Sequence, residues 1–376
     1  MSEPLSSHQV LRRYTADESK YTLSLGCSQC VQRSACGGLY VEGPSYSCDD
    51  FCCGSPSRCR LVCKHRSTQY VSHVREIGGY GLDDVPKSKP ITVQLPDGVR
   101  PLVYHGFRRS SPLRSDTVAI PLSKLINFRR SELKYKCAAS LRAAFKLSLD
   151  TRIILVGTDQ DRLVESWWRL GVLHRRAIIE GIKKLDIALV TSPNFSVVLD
   201  VPRTNDLHAL KCIALTCSEF SQAGLACALH TQGRTQRDFV RWGEYVRDHP
   251  EISVLAYEFT TGPGRSARMK FHIEQLSVIR RIADRPLSIV VRGNANCIPR
   301  LQRIFEVVTF LESNSFMRTM MRQQAYVSNR KMLRWCTHAT TEGESLDGLM
   351  DGNIATVRSF MEACNFNHEK VLGEVA

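Results

Sequence analysis

Several side chains that could perform acid–base chemistry stand at the ends of short apolar stretches. Glu258 lies near the end of the stretch from Ile252 to Phe259. A carboxylate in so apolar a strand is unfavourable unless it faces a wet site or a charged partner. His230 ends the stretch that begins at Leu225. Carboxylates and imidazoles are common general acids and bases, so both residues are catalytic candidates, although His230 could instead have a structural role.

Further catalytic candidates follow other apolar stretches. They are two carboxylates and an amide: Asp159, Asn194 and Asp200. Asn194 could present its amide group to a ligand. Asp200 is close to Arg203 in the chain, so a structural ion pair is the alternative interpretation for this aspartate.

Arginines and glycines near the same positions predict contacts with an anionic ligand. The loop 260–266 could hold a phosphate through its backbone amides and Arg265. Its Gly-Pro-Gly sequence is also compatible with an ordinary turn. The full set of predicted phosphate-binding residues is Arg234, Arg237, Gly262, Gly264, Arg265, Arg292, Arg318 and Arg322.

The chain from Leu185 to Gly293 repeats one pattern: a short apolar stretch, a polar turn and an amphipathic helix. Most of the candidates stand at the same point of this pattern, where an apolar stretch ends. The apolar stretches are nearly continuous rather than alternating, which predicts parallel strands covered on both faces. The strands are expected at 187–190, 225–230, 252–259 and 287–292, with others near 118, 152 and 307. In parallel α/β folds the carboxyl ends of the strands share one edge, so the polar residues are expected to meet there.

About seven such units predict an α/β fold, a TIM-like (β/α) barrel, complete or incomplete, over residues 117–312. Residues 1–66 are expected to form a cysteine-rich metal-binding module and 67–116 a connecting segment. Residues 313–376 are expected to form a basic, aromatic-containing helical segment. No Gly-x-Gly-x-x-Gly follows the first strand, which argues against a dinucleotide-binding Rossmann site.

Eight of the 15 cysteines lie between Cys27 and Cys63. Disulfides would need an oxidising compartment, and the N-terminus lacks the basic-then-apolar order of a secretory signal. Zinc favours two paired knuckles, whereas only Cys27 and Cys30 have the usual two-residue gap. An iron–sulfur cluster tolerates irregular spacing, so we predict a 4Fe–4S cluster, with zinc as the alternative. The expected ligands are Cys27, Cys30 and Cys36, with either Cys48 or Cys52 as the fourth.

The spacing Cys27-x2-Cys30-x5-Cys36-Gly-Gly resembles part of the cysteine signature of the auxiliary-cluster (SPASM-type) domains of radical enzymes. The resemblance implies ligation of an iron–sulfur cluster. It covers only this short segment and ends at Tyr40, where that signature has a further cysteine.

The net charge of +14, from 51 basic against 37 acidic residues, favours an anionic partner, most often nucleic acid. A basic protein without a specific partner is the alternative. The segment Ser313–Thr341 contains no acidic residue and interleaves arginines with Phe316, Tyr326 and Trp335, as stacking on bases requires. No apolar stretch reaches the roughly 18 residues of a membrane span, so no membrane association is expected and the cytoplasm is the default location.

A basic (β/α) barrel with a cysteine-bound metal is similar in architecture to tRNA-guanine transglycosylases, which exchange a base and carry zinc. Their zinc motif follows the barrel strands, whereas the cysteines here precede them, and their aspartate motifs are not recognisable. The resemblance implies a glycosylase- or transglycosylase-like enzyme acting on a base or its N-glycosidic bond in DNA or RNA. Two alternatives stay open: a non-catalytic nucleic-acid-binding protein, and a metabolic barrel enzyme acting on a phosphorylated small molecule.

Overall fold

The computed structural model describes residues 21–23, 40–42, 76–197, 203–260 and 262–366. Its strands are β1 (Tyr21–Leu23), β2 (Tyr40–Glu42), β3 (Gly98–Pro101), β4 (Thr117–Pro121), β5 (Ile126–Asn127), β6 (Glu132–Leu133), β7 (Arg152–Val156), β8 (Leu189–Thr191), β9 (Cys227–His230), β10 (Val254–Phe259), β11 (Ser288–Gly293), β12 (Val308–Glu312), β13 (Gln323–Val327) and β14 (Leu333–Thr337). Its α-helices are α1 (Ala138–Phe145), α2 (Asp161–Arg169), α3 (Gly171–Ile182), α4 (Arg203–Gln222), α5 (Gln236–Asp248), α6 (Ser266–Ala283), α7 (Ile298–Leu301), α8 (Asn314–Met320) and α9 (Asp347–Asn365).

Eight strands form one parallel sheet in the order β3-β12-β11-β10-β9-β8-β7-β4. From β7 to β12, strands that are consecutive along the chain are neighbours in the sheet. The two ends of the sheet also meet. Leu102, directly after β3, forms a bridge with Ala119 of β4, and the amide of Val103 donates to the Ala119 carbonyl over 2.9 Å. The fold is therefore α/β with a nearly closed, TIM-like barrel, as the repeated pattern predicts.

The barrel interior is filled by alternate residues of the strands. These buried residues are Leu102, Ala119, Ile154, Val156, Leu189, Ala228, Val254, Ala256, Val290 and Leu311. The intervening residues pack outward in a second, larger core with the helices. Because both faces are covered, the strands read as continuous apolar stretches. Continuing the alternation from Val254 and Ala256 places Glu258 on the interior side, at the carboxyl end of β10.

The barrel begins earlier than expected, because β3 lies inside the predicted connecting segment 67–116. Its sequence, Gly-Val-Arg-Pro, has no apolar stretch that could identify a strand. Neighbours supply what the local pattern lacks: β3 pairs with β12 along its whole length. Helix α9 also contributes, since the Glu362 carboxylate accepts a hydrogen bond from the Val99 amide over 3.0 Å.

The region after residue 312 is not purely helical, because β13 and β14 form an antiparallel hairpin between α8 and α9. Tyr326 and Trp335 lie on this hairpin rather than on a helix. Phe316 of α8 is 2 % exposed and packs against Tyr104 and His105, with ring centroids 5.4 and 4.8 Å away. The expectation that Phe316 stacks on bases is therefore wrong, since its ring belongs to the protein core.

Among the residues described, none of the helices has the length and apolar character needed to cross a bilayer.

Candidate active site at the barrel mouth

A cavity of about 340 Å³ opens at the carboxyl ends of β7, β8, β9 and β10. Its volume is at the small end of the usual range for ligand pockets. The predicted residues that line it are Asp159, Asn194, His230, Arg234, Glu258 and Gly262. Residues far apart in the chain thus meet in one cavity, because the parallel strands end at the same edge of the barrel.

Glu258 has the environment expected of an acid–base catalyst. Burial raises the pKa of its carboxyl group to about 7. The nearby charge of Arg292 and hydrogen bonds from the hydroxyls of Thr158 and Thr260 act in the opposite direction on this pKa. Among the described residues, the carboxylate oxygen Oε2 has no hydrogen-bond partner. Near neutral pH the group is present in both protonation states, which suits proton transfer to or from a ligand.

His230 is held as a neutral ring. Its Nδ1 lies 2.6 Å from the carbonyl oxygen of Ser192, which can only accept, so Nδ1 carries the proton. Burial lowers the pKa of the imidazole to about 4, so the ring is uncharged at neutral pH. Its Nε2 lies 3.2 Å from the Thr158 hydroxyl oxygen and is available as an acceptor.

Thr158 connects the two catalytic candidates. Its hydroxyl contacts both Nε2 of His230 and the carboxyl group of Glu258. Its one proton is donated either to Nε2 of His230 or to the Glu258 carboxylate, and donation to the carboxylate lowers the pKa of Glu258. Thr158 could have been identified from the sequence as a site residue, because it directly follows Gly157 at the end of β7. Gly157 itself has no room for a side chain, since a Cβ there would lie 2.4 Å from the Thr191 carbonyl oxygen.

Asp159 and Asn194 complete this side of the cavity. The Asp159 carboxylate accepts hydrogen bonds from the Ser123 hydroxyl and, over 2.8 Å, from the Gln160 amide. Asn194 differs, because its buried Oδ1 has no hydrogen-bond partner within the described chain. A buried acceptor of this kind is satisfied when a ligand supplies a donor.

The predicted arginines lie in different places. Arg234 forms an ion pair with Asp206 over 2.9 Å, and both side chains are fully buried. This pair favours a structural role for Arg234 over the predicted phosphate contact. Arg237 is exposed and lines a separate cleft beside Lys87, away from the barrel mouth. Arg292 lies next to Glu258, since the two residues are register partners in neighbouring strands of the sheet.

The glycine-containing loop after β10 contributes through its backbone. Gly262 lines the cavity. Gly264 makes a close approach that only glycine allows, because a Cβ there would lie 2.0 Å from the Phe259 carbonyl oxygen. Arg265 is exposed at the N-cap of α6 and is not among the residues lining the cavity.

Two residues that were not predicted line the cavity from α6. They are Arg268 and His272, one and two turns after Arg265. Their spacing of four residues, typical of one helix face, was the signal in the sequence.

Arg318 and Arg322 make contacts within the C-terminal part. The guanidinium of Arg318 donates to Gln323 over 2.8 Å and lies 5.7 Å from the ring centroid of Trp335. Arg322 donates to the hydroxyl of Thr340. The Arg318 contacts attach the hairpin to α8, and the Arg322 contact joins the segments next to the hairpin. A phosphate contact is therefore not needed to explain either arginine.

The remaining predicted site residues lie outside the part of the chain that the structure describes. They are Asp200 and the metal-ligand candidates Cys27, Cys30, Cys36, Cys48 and Cys52. Within the described part, no three His, Cys, Asp or Glu side chains are grouped so that they could hold a metal ion.

Comparison with known proteins gives no family, since neither a family model nor a curated protein sequence matches this chain.

Proposed function

We propose that this protein is an enzyme with its active site at the barrel mouth, and that it cleaves or exchanges the N-glycosidic bond of a nucleotide. The observation that carries the proposal is the environment of Glu258, a carboxyl group with a pKa raised to about 7 in an otherwise apolar strand end. Proton transfer at neutral pH is the chemistry that such a group performs best.

The cavity holds the groups that glycoside chemistry requires. Protonated Glu258 donates its proton to the leaving base nitrogen as the C–N bond breaks, and the bonding electrons leave with the base. The Asp159 carboxylate stabilises the positive charge that develops on the sugar. Water then forms the new C–O bond and returns a proton to Glu258, whereas in an exchange reaction an incoming base attacks instead. Neutral His230, linked through Thr158, holds the proton donor in place.

The proposed partner is nucleic acid, supported by the net charge of +14. A base within a duplex cannot reach a cavity of about 340 Å³, so the target nucleotide has to be extruded or single-stranded. The architectural likeness to tRNA-guanine transglycosylases agrees with this reaction class.

The test is release of free base from single-stranded DNA, RNA and nucleoside monophosphates, measured by chromatography. We expect Glu258→Gln to lower the rate by a factor of about 100 or more, because amide nitrogen cannot donate a proton to the leaving group. Glu274→Gln, an exposed change on α6, is the matched control and should leave the rate unchanged. Equal rates for the two variants, or no base released from any substrate by the unmodified protein, would contradict the proposal.

A metabolic enzyme acting on a free phosphorylated molecule is the second candidate. This candidate is favoured because Arg234 is paired with Asp206 and Phe316 is buried in the core. Neither residue is then available for its predicted contact with nucleic acid. Cleavage of mononucleotides without cleavage of oligonucleotides would support this candidate. Salt-dependent binding of nucleic acid without turnover would instead support a non-catalytic binding protein.

A further inference from the structure

A second group of polar side chains lines the same cavity on the side of α6. Arg268 and His272 belong to this helix, and Tyr257 of β10 lines the cavity with them. The Tyr257 hydroxyl oxygen lies 2.6 Å from Nδ1 of His272. None of these residues is needed for the proton chemistry of Glu258, so their presence in the cavity requires a separate explanation.

The contact with Tyr257 determines which nitrogen of His272 carries the proton. Burial raises the pKa of the Tyr257 phenol, so the hydroxyl keeps its proton. This proton has no other acceptor among the described residues, so it is donated to Nδ1 of His272. Burial and the charge of Arg268 lower the pKa of His272 to about 3, so the ring is neutral. A neutral ring that accepts at Nδ1 carries its proton on Nε2. His272 therefore offers an N–H donor at Nε2.

This donor has no acceptor within the described chain. His272 is 3 % exposed, and its buried Nε2 has no hydrogen-bond partner there. A buried N–H without an acceptor is unfavourable by about 1–3 kcal/mol, so such groups in native proteins usually have a partner or a functional role. An acceptor atom of a bound ligand in the cavity would satisfy it.

The surroundings of His272 favour an acceptor that is negatively charged. Arg268 lines the same cavity and forms no ion pair with any carboxylate of the described residues. The amino terminus of α6, an 18-residue helix, has no side-chain cap hydrogen bond and follows directly on the Gly262–Gly264 turn. Helix amino termini carry a partial positive charge and exposed amides, so they attract anions.

We propose that Arg268, His272 and the amino terminus of α6 form a binding site for a phosphate group of the substrate. The inference builds on the proposed function, because the phosphate site shares its cavity with Glu258. It also restricts the class of substrate, since one cavity of about 340 Å³ holds both sites. The reacting base and a phosphate would then belong to one nucleotide, and nucleosides without phosphate would be poor substrates.

Binding of inorganic phosphate, measured by isothermal titration calorimetry or 31P NMR, tests the site directly. We expect Arg268→Ala to weaken binding about tenfold or more, because a charge-assisted hydrogen bond is lost. The matched control is Arg281→Ala, an exposed arginine on the same helix, which should bind phosphate like the unmodified protein. Equal affinities for Arg268→Ala and Arg281→Ala, or no phosphate binding by the unmodified protein, would overturn the proposal.

Variants of His272 separate a ligand contact from a packing role. His272→Gln keeps an N–H donor and should retain most of the affinity, whereas His272→Leu should lose it while remaining folded by circular dichroism. Tyr257→Phe removes the group that selects the tautomer and should weaken phosphate binding without changing any charge. If His272→Leu is folded and binds phosphate normally, His272 is not part of the site and the proposal fails.

Two further comparisons keep this test independent of the catalytic proposal. Glu258→Gln should bind phosphate at least as tightly as the unmodified protein, so loss of turnover with intact phosphate binding leaves the site standing. Competition identifies the source of the phosphate. Displacement by single-stranded oligonucleotides indicates a nucleic-acid backbone, and displacement only by nucleoside monophosphates indicates a free metabolite.

Discussion

Glu258, Thr158 and His230 form one hydrogen-bonded group, so a change in any of them should alter the others. The hydroxyl of Thr158 is one of the groups that lower the pKa of Glu258. Its hydroxyl also contacts Nε2 of His230 over 3.2 Å. The protonation of the proposed catalytic acid therefore depends on a residue that does not itself titrate.

The pH dependence of kcat/KM should reflect this group. If protonated Glu258 is the acid, kcat/KM is highest below about pH 7 and falls about tenfold for each pH unit above it. Thr158→Val removes the hydroxyl, raises the pKa of Glu258 and should move the falling limb to higher pH. Thr158→Ser keeps the hydroxyl and should keep the limb in place. A profile that is the same for both variants would contradict the link through Thr158.

Glu258 should also lower the stability of the fold at alkaline pH. Its pKa is near 4.5 in the unfolded chain and about 7 in the folded protein, so folding favours the protonated form. Stability is therefore full below about pH 4.5 and decreases as the pH rises towards 7, by an amount on the order of 3 kcal/mol.

The variant Glu258→Gln has no charge to bury, so it should be more stable than the unmodified protein at pH 8. The difference should largely disappear at pH 4.5. Urea unfolding at the two pH values measures it. A variant that is less stable at pH 8 would mean that the contact with Arg292 outweighs burial of the charge.

At the scale of elements, the ends of β10 and β11 are held together by close backbone contacts. Gly293 has a φ of +113°, and a Cβ there would lie 2.2 Å from the carbonyl carbon of Phe259. Asn294 continues the contact, since its amide donates to the Phe259 carbonyl over 3.0 Å. These contacts fix the loop that carries the predicted phosphate-binding residues next to Glu258.

We expect Gly293→Ala to destabilise the protein by about 2 kcal/mol or more, because it adds both backbone strain and a steric clash. Gly352 in α9 is the matched comparison, because nothing lies within 4 Å of a Cβ at that position. Gly352→Ala should stabilise the protein by about 0.5–1 kcal/mol, since alanine favours the helix. Chemical unfolding of both variants would show opposite shifts, and shifts of the same sign would contradict this account.

At the scale of the whole molecule, the cysteine-rich segment before the barrel should bind a metal. We propose that Cys27, Cys30 and Cys36, with Cys48 or Cys52, ligate an iron–sulfur cluster. Protein purified without oxygen should contain iron and show a broad absorption band near about 400 nm. Cys30→Ser should reduce the iron content, whereas the exposed Cys364→Ser should not. Zinc without colour would support the alternative metal, and absence of both metals would refute the metal-binding module.

Much of the barrel could be predicted from local pattern alone. Strands from β7 onwards are buried on both faces, so each is a continuous apolar stretch that ends in polar residues. That pattern was enough to place Asp159, Asn194, His230 and Glu258 at one edge. It failed for β3, whose four residues carry no such stretch, and for the β13–β14 hairpin, which lies inside a predicted helical segment.

The repeating α/β architecture and the edge at which polar side chains gather follow from the local pattern, because apolar periodicity depends only on neighbouring residues. Which side chains share the cavity depends on contacts between residues that are distant in the chain. These contacts pair Arg234 with Asp206, place Thr158 between Glu258 and His230, and turn His272 towards the cavity. Burial by distant strands and helices raises the pKa of Glu258, and no local pattern encodes this effect, because desolvation depends on every element packed around the group.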